Sequence, residues 1–185
     1  MIRVAFVGAP DSGKTTLAKV VSAELNLVGY IPAYIHEYAR DYITKHGVRP
    51  YTVADQFMVF CRQLERENDM CSASTKIMYT DSPIMLPYIY AIDLVMNDKD
   101  KDDLVYLYNR TLTALKNRYD LIFLLHAFRT TLKDDVRAQD WDRISKLDTQ
   151  IKAFFDLHGL AYTELNQPMQ ERVLVTKEAI LRKCS

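Results

Sequence analysis

Residues 2–25 constrain the fold more than any other part of the chain. Ile2–Val7 (IRVAFV) is a short apolar run that reads as a buried strand, and Gly8-Ala9-Pro10-Asp11-Ser12-Gly13-Lys14-Thr15 follows it directly. From about Lys14, Leu17, Val20, Val21 and Leu25 recur on one face of a helix expected to end near Gly29. Strand, GxxxxGK[ST] and helix in that order make a phosphate-binding loop, the P-loop. Average glycine usage would predict about 13 in a chain of this length. There are five, and two of them, Gly8 and Gly13, stand in this loop, where a Cβ would block close backbone approach to a phosphate. The loop amides, those of Asp11 and Ser12 included, are expected to wrap a triphosphate together with the positive end of the helix dipole. Lys14 should reach the terminal phosphates, the Thr15 hydroxyl should ligate Mg²⁺, and the Thr16 hydroxyl should bond the α-phosphate. The implied ligands are ATP and Mg²⁺.

The rest of the chain alternates short apolar runs with helical periodicity. Ile31–His36 predicts a second strand and Glu37–His46 a short helix stopped by Gly47. Thr52–Asp55 opens a long helix with a stripe of Val53, Phe57, Phe60, Cys61 and Leu64. Ile77–Thr80 predicts a strand ending on Asp81, with two helices after it, the second carrying Leu104, Tyr108, Leu112 and Leu115. Leu121–Leu125 is the plainest buried strand. Ile144, Leu147, Ile151, Phe154 and Phe155 mark another helix, Ala161–Leu165 a last strand and Glu171–Lys183 a terminal helix. Strands this short, apolar and interleaved with helices call for a parallel sheet covered on both faces, a three-layer α/β fold. No repeat or low-complexity linker divides residues 1–185, so one domain is expected.

Composition narrows the function classes. Apolar residues at 49% exclude a disordered chain, and 24 Lys plus Arg against 24 Asp plus Glu leave no net charge to gather a polynucleotide or an acidic membrane. Cys61, Cys71 and Cys184 show no metal-binding spacing and fit a reducing, cytoplasmic setting. No run approaches the ~18 apolar residues of a membrane span, and the chain opens on a strand without a signal-peptide pattern.

Four further groups are candidates for chemistry. Asp81, at the C-terminal end of a strand, would lie in the crevice where open α/β sheets bind ligands, placed to orient the metal shell or take a proton from an attacking hydroxyl. Asp81-Ser82-Pro83 also has the pattern of a helix N-cap. Glu37 and Arg40, three apart after the second strand, would share a helix face and hold a polar substrate, or form a surface ion pair. Between His126 and Lys146, Arg129, Lys133, Arg137 and Arg143 are interspersed with aspartates, which fits a mobile lid over about 127–143 that brings Arg137 or Arg129 onto the phosphoryl group; an ion-paired surface helix is the competing reading. Trp141 beside that lid, and Tyr34 and Tyr38 beside Glu37, are candidates to stack on a base.

Two nucleotide-binding classes are excluded by what is missing. A regulatory GTPase needs DxxG after a strand and NKxD to read guanine; Asn166-Gln167-Pro168 supplies no such aspartate. A motor ATPase needs an apolar strand ending Asp-Glu, whereas Leu121–Leu125 ends on His126 and Ile77–Thr80 on Asp81-Ser82. A small phosphotransferase fits better.

The P-loop, Glu37-Tyr38-Ala39-Arg40, Asp55-Gln56, the strand ending on Asp81, Tyr119–Phe123 and the Asp134–Arg137 segment together resemble the ribosylnicotinamide kinase domain of NadR-like proteins, a family of P-loop kinases. The resemblance implies a five-stranded parallel sheet in the order 2-3-1-4-5, ATP–Mg²⁺ on Lys14 and Thr15, and Asp81 at the reacting hydroxyl. It also implies an acceptor pocket lined by Glu37 and Arg40, a lid arginine at Arg137, and the Asn166–Gln170 loop beside adenine. The chain departs from the family pattern at Pro83, where a second acidic residue is usual, and at Asp135, where the lid has glycine. With one domain expected, no adenylyltransferase domain is expected beside the kinase. Stand-alone kinases of this kind are frequent in phage genomes, where some P-loop kinases phosphorylate 5-hydroxymethyluracil in DNA.

The expectation is an ATP-dependent kinase acting on a hydroxyl of a nucleoside-like acceptor, ribosylnicotinamide first. A kinase of modified bases in DNA and a non-catalytic ATP-binding regulator are the alternatives. Neither the acceptor nor the oligomeric state is legible in the sequence.

Overall fold

The computed structural model describes residues 1–47, 51–70, 75–126 and 141–184. Its elements run β1 (Ile2–Val7), α1 (Lys14–Asn26), β2 (Ala33–Ile35), α2 (Tyr38–His46), α3 (Val53–Asp69), β3 (Ile77–Thr80), α4 (Leu86–Ala91) with a 3-10 turn at Ile92–Leu94, α5 (Asp98–Leu115), β4 (Leu121–Leu125), α6 (Trp141–Leu157), β5 (Thr163–Leu165) and α7 (Met169–Cys184).

The strands form one five-stranded sheet, all parallel, in the order β2-β3-β1-β4-β5. The chain leaves β1 toward one edge and returns across it to β4 on the other side, so the loop after β1 sits at the topological switch point, where the flanking connections diverge and open a crevice. The three-layer α/β reading and the 2-3-1-4-5 order implied by the resemblance both hold.

Side-chain alternation in the two central strands separates two cores. Val4 and Phe6 of β1, with Phe123 and Leu125 of β4, pack against Leu17, Val21 and Leu25 of α1 and Val173 and Ile180 of α7. Ala5 and Val7, with Ile122 and Leu124, face the opposite way, onto Phe60 of α3, Leu107 of α5, and Ile151 and Phe155 of α6. Both faces of these strands are covered, which is why they read as unbroken apolar runs.

Several boundaries differ from expectation. The outer strands are shorter: Ile31 is 88% exposed on the approach to β2, and β5 starts at Thr163 rather than Ala161. Helix α4 starts at Leu86, with Met85 at its N-cap, so Asp81-Ser82-Pro83 caps nothing. Trp141–Arg143, expected at the end of a lid, form the first turn of α6. Arg129, Lys133, Asp134–Arg137 and the remainder of the expected lid lie outside the described residues.

Candidate active site

The P-loop is built from backbone strain placed where its residues tolerate it. Gly8 has φ +156°, and a Cβ there would meet the Leu125 carbonyl oxygen at 2.1 Å and Ser12 Oγ at 2.7 Å. Gly13 caps α1 with φ 83°, and Asp11 also occupies the left-handed region at φ 63°. No side chain caps α1 and no acidic residue stands in its first turn, so its leading amides keep their affinity for an anion. Lys14 arches back over the loop, donating to Ala9 O at 2.7 Å and Ser12 Oγ at 3.3 Å. Its ammonium therefore lies above the ring of amides it is expected to serve. Thr16 is exposed on the first turn of α1.

Beside the loop, Asp81 stands at the C-terminal end of β3, 3% exposed. Its Oδ2 accepts from Thr15 Oγ1 and, at 2.7 Å, from the hydroxyl of Tyr34 on β2. Its Oδ1 is buried without a hydrogen-bond partner among the described residues. An acceptor oxygen left in that state is costly unless a ligand meets it. Burial, and then the hydrogen bond to Asp81, push the Tyr34 phenol far above its ordinary range, so it remains a donor. The hydroxyl of Thr15 and Oδ2 of Asp81 form an all-oxygen pair of the kind Mg²⁺ prefers, and the orphaned Oδ1 remains as an acceptor for a second ligand.

A cleft of about 650 Å³ runs from Thr15 past Asp81 and Tyr34 to Glu37 and Arg40. Glu37 is the N-cap residue of α2 and accepts from Arg40 Nε at 2.9 Å, so the two share a face as expected. Arg66 closes the far side, bonded to Asp41 at 2.6 Å and lying 4.7 Å from the centre of the Tyr38 ring. Tyr34 lines the cleft. Trp141 does not; it is half-buried against the core under α6. Part of its aromatic surface is used in that packing.

Two sets of residues that the sequence did not single out hold this arrangement. Gln63, 1% exposed on α3, accepts from the Tyr38 amide at 2.9 Å and donates to Thr80 Oγ1 at 3.3 Å, while Thr80 Oγ1 also accepts from the Ser82 amide at 3.2 Å. One buried amide thus ties the start of α2, next to Glu37, to the turn that carries Asp81. One helical turn on, Glu67 pairs with Arg118 at 2.6 Å, and the Tyr119 hydroxyl donates to Glu67 while accepting the Ile84 amide at 3.1 Å. Burial draws the Glu67 carboxyl above its ordinary range against the pull of Arg118. Gln63 and Glu67 are polar residues on the buried side of an amphipathic helix, and that mismatch with the apolar stripe was the available signal. Asp55, part of the resemblance, turns out to be structural: it completes a capping box with Thr52 and accepts from Tyr42 at 2.6 Å.

The P-loop is braced from behind as well. Arg172 of α7, 6% exposed, reaches Gln167 O at 2.6 Å and Ser12 O at 3.5 Å, joining the Asn166–Gln170 loop to the phosphate loop. Arg129 and Arg137 lie outside the described residues.

No curated protein matches this chain. Among solved structures, one of the NadR protein in complex with NR has a TM-score of 0.70 at 20% identity, covering 90% of this chain and 46% of that one. Another, of the NadR protein in complex with NAD and AMP-PNP, has a TM-score of 0.75 at 20% identity, covering 98% and 49%. The chain spans about half the length of these proteins, and at this identity the likeness is one of fold. The AAA domain family matches residues 3–172, from the first strand through the bracing Arg172. The chain belongs to the AAA domain family.

Proposed function

We propose that this chain is an ATP-dependent phosphotransferase that phosphorylates a hydroxyl of a nucleoside-like small molecule, with ribosylnicotinamide the first candidate. The observation that carries the reading is Asp81. One of its oxygens is held by Thr15 of the P-loop and Tyr34 of the cleft wall, and the other is buried and unpartnered among the described residues. A carboxylate between a phosphate loop and a cleft of about 650 Å³ supports a reaction in which an acceptor hydroxyl meets a γ-phosphate. The fold likeness to NadR proteins solved with NR and with AMP-PNP supports the same pairing of ligands.

In this reading the loop amides and Lys14 hold the triphosphate, and Thr15 and Asp81 hold Mg²⁺, which supplies charge neutralisation on the phosphates. Asp81 Oδ1 accepts the proton of the acceptor hydroxyl as that oxygen bonds to the γ-phosphorus and the bond to ADP breaks. Tyr34 keeps the carboxylate aimed, and Glu37 with Arg40 orients the acceptor's polar groups. Catalysis of this kind is mostly positioning and electrostatic stabilisation.

The cleft has carboxylates at Glu37, Asp41, Asp69 and Asp81 and cations at Lys19, Arg40 and Arg66. That balance favours a small neutral or cationic acceptor over a polyanion such as DNA. The test is γ-labelled ATP with Mg²⁺ and a panel of ribosylnicotinamide, common nucleosides and their monophosphates, and DNA with and without 5-hydroxymethyluracil, run beside Asp81→Asn. Label on a nucleoside, lost in the variant, supports the proposal. Label on DNA alone replaces it with the base-kinase reading, and ATP binding with no labelled product moves it to a regulator.

A further inference from the structure

The loop that faces the phosphates is held on its other side by a carboxylate. Asp148 of α6 accepts a hydrogen bond from the Ala9 amide at 3.1 Å. Ala9 is the first residue after Gly8 and is wholly buried, so its N–H has to find a partner within the protein. The other side of the same residue is the carbonyl that Lys14 Nζ meets at 2.7 Å. Ala9 is therefore gripped twice, at its N–H by Asp148 and at its C=O by Lys14.

The two grips differ in permanence. A triphosphate on the loop draws the Lys14 ammonium toward its own oxygens, and the hold on Ala9 O weakens. Asp148 reaches the loop from α6 and holds Ala9 through its N–H, the opposite end of the residue from the carbonyl that Lys14 meets. Its other oxygen, Oδ2, lies 3.8 Å from His126 Nδ1 just past β4, and His126 Nε2 is hydrogen-bonded to Glu164, which Lys152 approaches at 3.5 Å. His126 and Asp148 thus link the ends of β4 and β5 and the middle of α6 to the second residue of the P-loop.

We propose that Asp148 is a positioning residue of the phosphate-binding loop: its carboxylate keeps the Ala9 amide turned away from the nucleotide, so that the amides after it converge on the phosphates when Lys14 leaves Ala9 O. This rests on the reading of the loop as an ATP site. It assigns Asp148 to nucleotide affinity and to no contact with the acceptor.

The experiment measures equilibrium binding of Mg²⁺–AMP-PNP by calorimetry to the full chain and to Asp148→Ala and Asp148→Asn, with thermal melts of each. A hydrogen bond to a charged group is lost in the alanine variant, so binding weakens by about 10- to 100-fold. The asparagine amide oxygen still accepts from Ala9, and its affinity recovers to within about threefold of wild type. With an accepted acceptor in hand, the ATP KM rises in Asp148→Ala while the acceptor KM stays put, a split that general destabilisation would not produce. Alanine binding within twofold of wild type overturns the proposal, as does an asparagine variant that is folded and as weak as alanine. Wild-type protein that binds no nucleotide would instead overturn the ATP reading itself. If the alanine variant fails to fold, a folded asparagine variant that binds at least about tenfold more weakly than wild type overturns the proposal, since its amide oxygen can still accept from Ala9.

Discussion

Tyr34 donates its hydroxyl to Asp81 Oδ2 at 2.7 Å, across the strand pair β2–β3, so a residue of the outermost strand aims the carboxylate at the sheet's switch point. Burial and the adjacent carboxylate push the phenol far above its ordinary value of 10.0, which keeps it protonated over any working pH. Tyr34 therefore contributes no alkaline limb to a rate profile. Tyr34→Phe is expected to lower kcat by about 3- to 10-fold, the worth of one hydrogen bond, and to leave the high-pH side of the kcat profile unchanged. A profile in which the alkaline limb vanishes in the variant would contradict the assignment.

Lys14→Ala is expected to cut phosphotransfer by at least about 100-fold, as loss of one preorganised electrostatic group does. The side chain bonds to Ala9 and Ser12 and belongs to neither core, so the melting temperature should stay within a few degrees. The paired readout is turnover against a thermal melt; a large drop in melting temperature would mean the lysine is structural.

Gln63→Leu removes both halves of the link between the Tyr38 amide and Thr80 Oγ1. Glu37 and Asp81 then lose their common reference, and the acceptor KM should rise by about tenfold with the ATP KM little changed, one buried hydrogen bond or two being worth that much. Steady-state kinetics in each substrate separate the two constants, and an equal change in both would point to general loosening.

Arg118→Leu leaves Glu67 buried without its cation, and breaking a buried pair in this way typically costs about 3–5 kcal/mol. Burial already draws the Glu67 carboxyl upward, and the variant loses the guanidinium that opposes the rise. A folded-state value above the unfolded one gives stability that is present at low pH and lost as pH rises through the folded value. The deficit relative to wild type should therefore widen from pH 5 to pH 8 in denaturant titrations, and a constant deficit would show that Glu67 does not take up the proton.

Glu164 has the opposite sign. Its hydrogen bond from His126, with help from Lys152, pulls the carboxyl below the ordinary 4.5. That contribution is present above the unfolded value and lost as pH falls through the lower folded one. Glu164→Gln should be less stable than wild type near neutral pH and indistinguishable from it in strong acid. Melting curves between pH 7 and pH 3 test this, and a gap that persists at the acid end would assign the effect to packing.

What could be read from the chain was local. The spacing of Gly8, Gly13, Lys14 and Thr15 defines a loop whose geometry is a matter of adjacent backbone angles. Continuous apolar runs such as Leu121–Leu125 announce strands covered on both faces. The 3.6-residue recurrence of Leu104, Tyr108, Leu112 and Leu115 announces a helix whatever lies around it. The 2-3-1-4-5 order came through resemblance, since no residue pattern within a strand states which strand lies beside it.

Tertiary structure decided everything that depends on distance along the chain. Ala9 and Asp148 stand 139 residues apart, Ser12 and Arg172 stand 160 apart, and Glu67 and Arg118 stand 51 apart. No periodicity couples such positions. Asp81-Ser82-Pro83 also had the pattern of a helix cap, and the start of α4 at Leu86 removed that reading. How far Trp141 is buried against the core was set by the packing of α6. Short-range sequence sets backbone preference and burial pattern, because those arise from neighbours within a turn or a pleat. Which polar side chains meet across the sheet is set by how the layers close over it, and that closure brought Thr15, Tyr34 and Asp81 to one point.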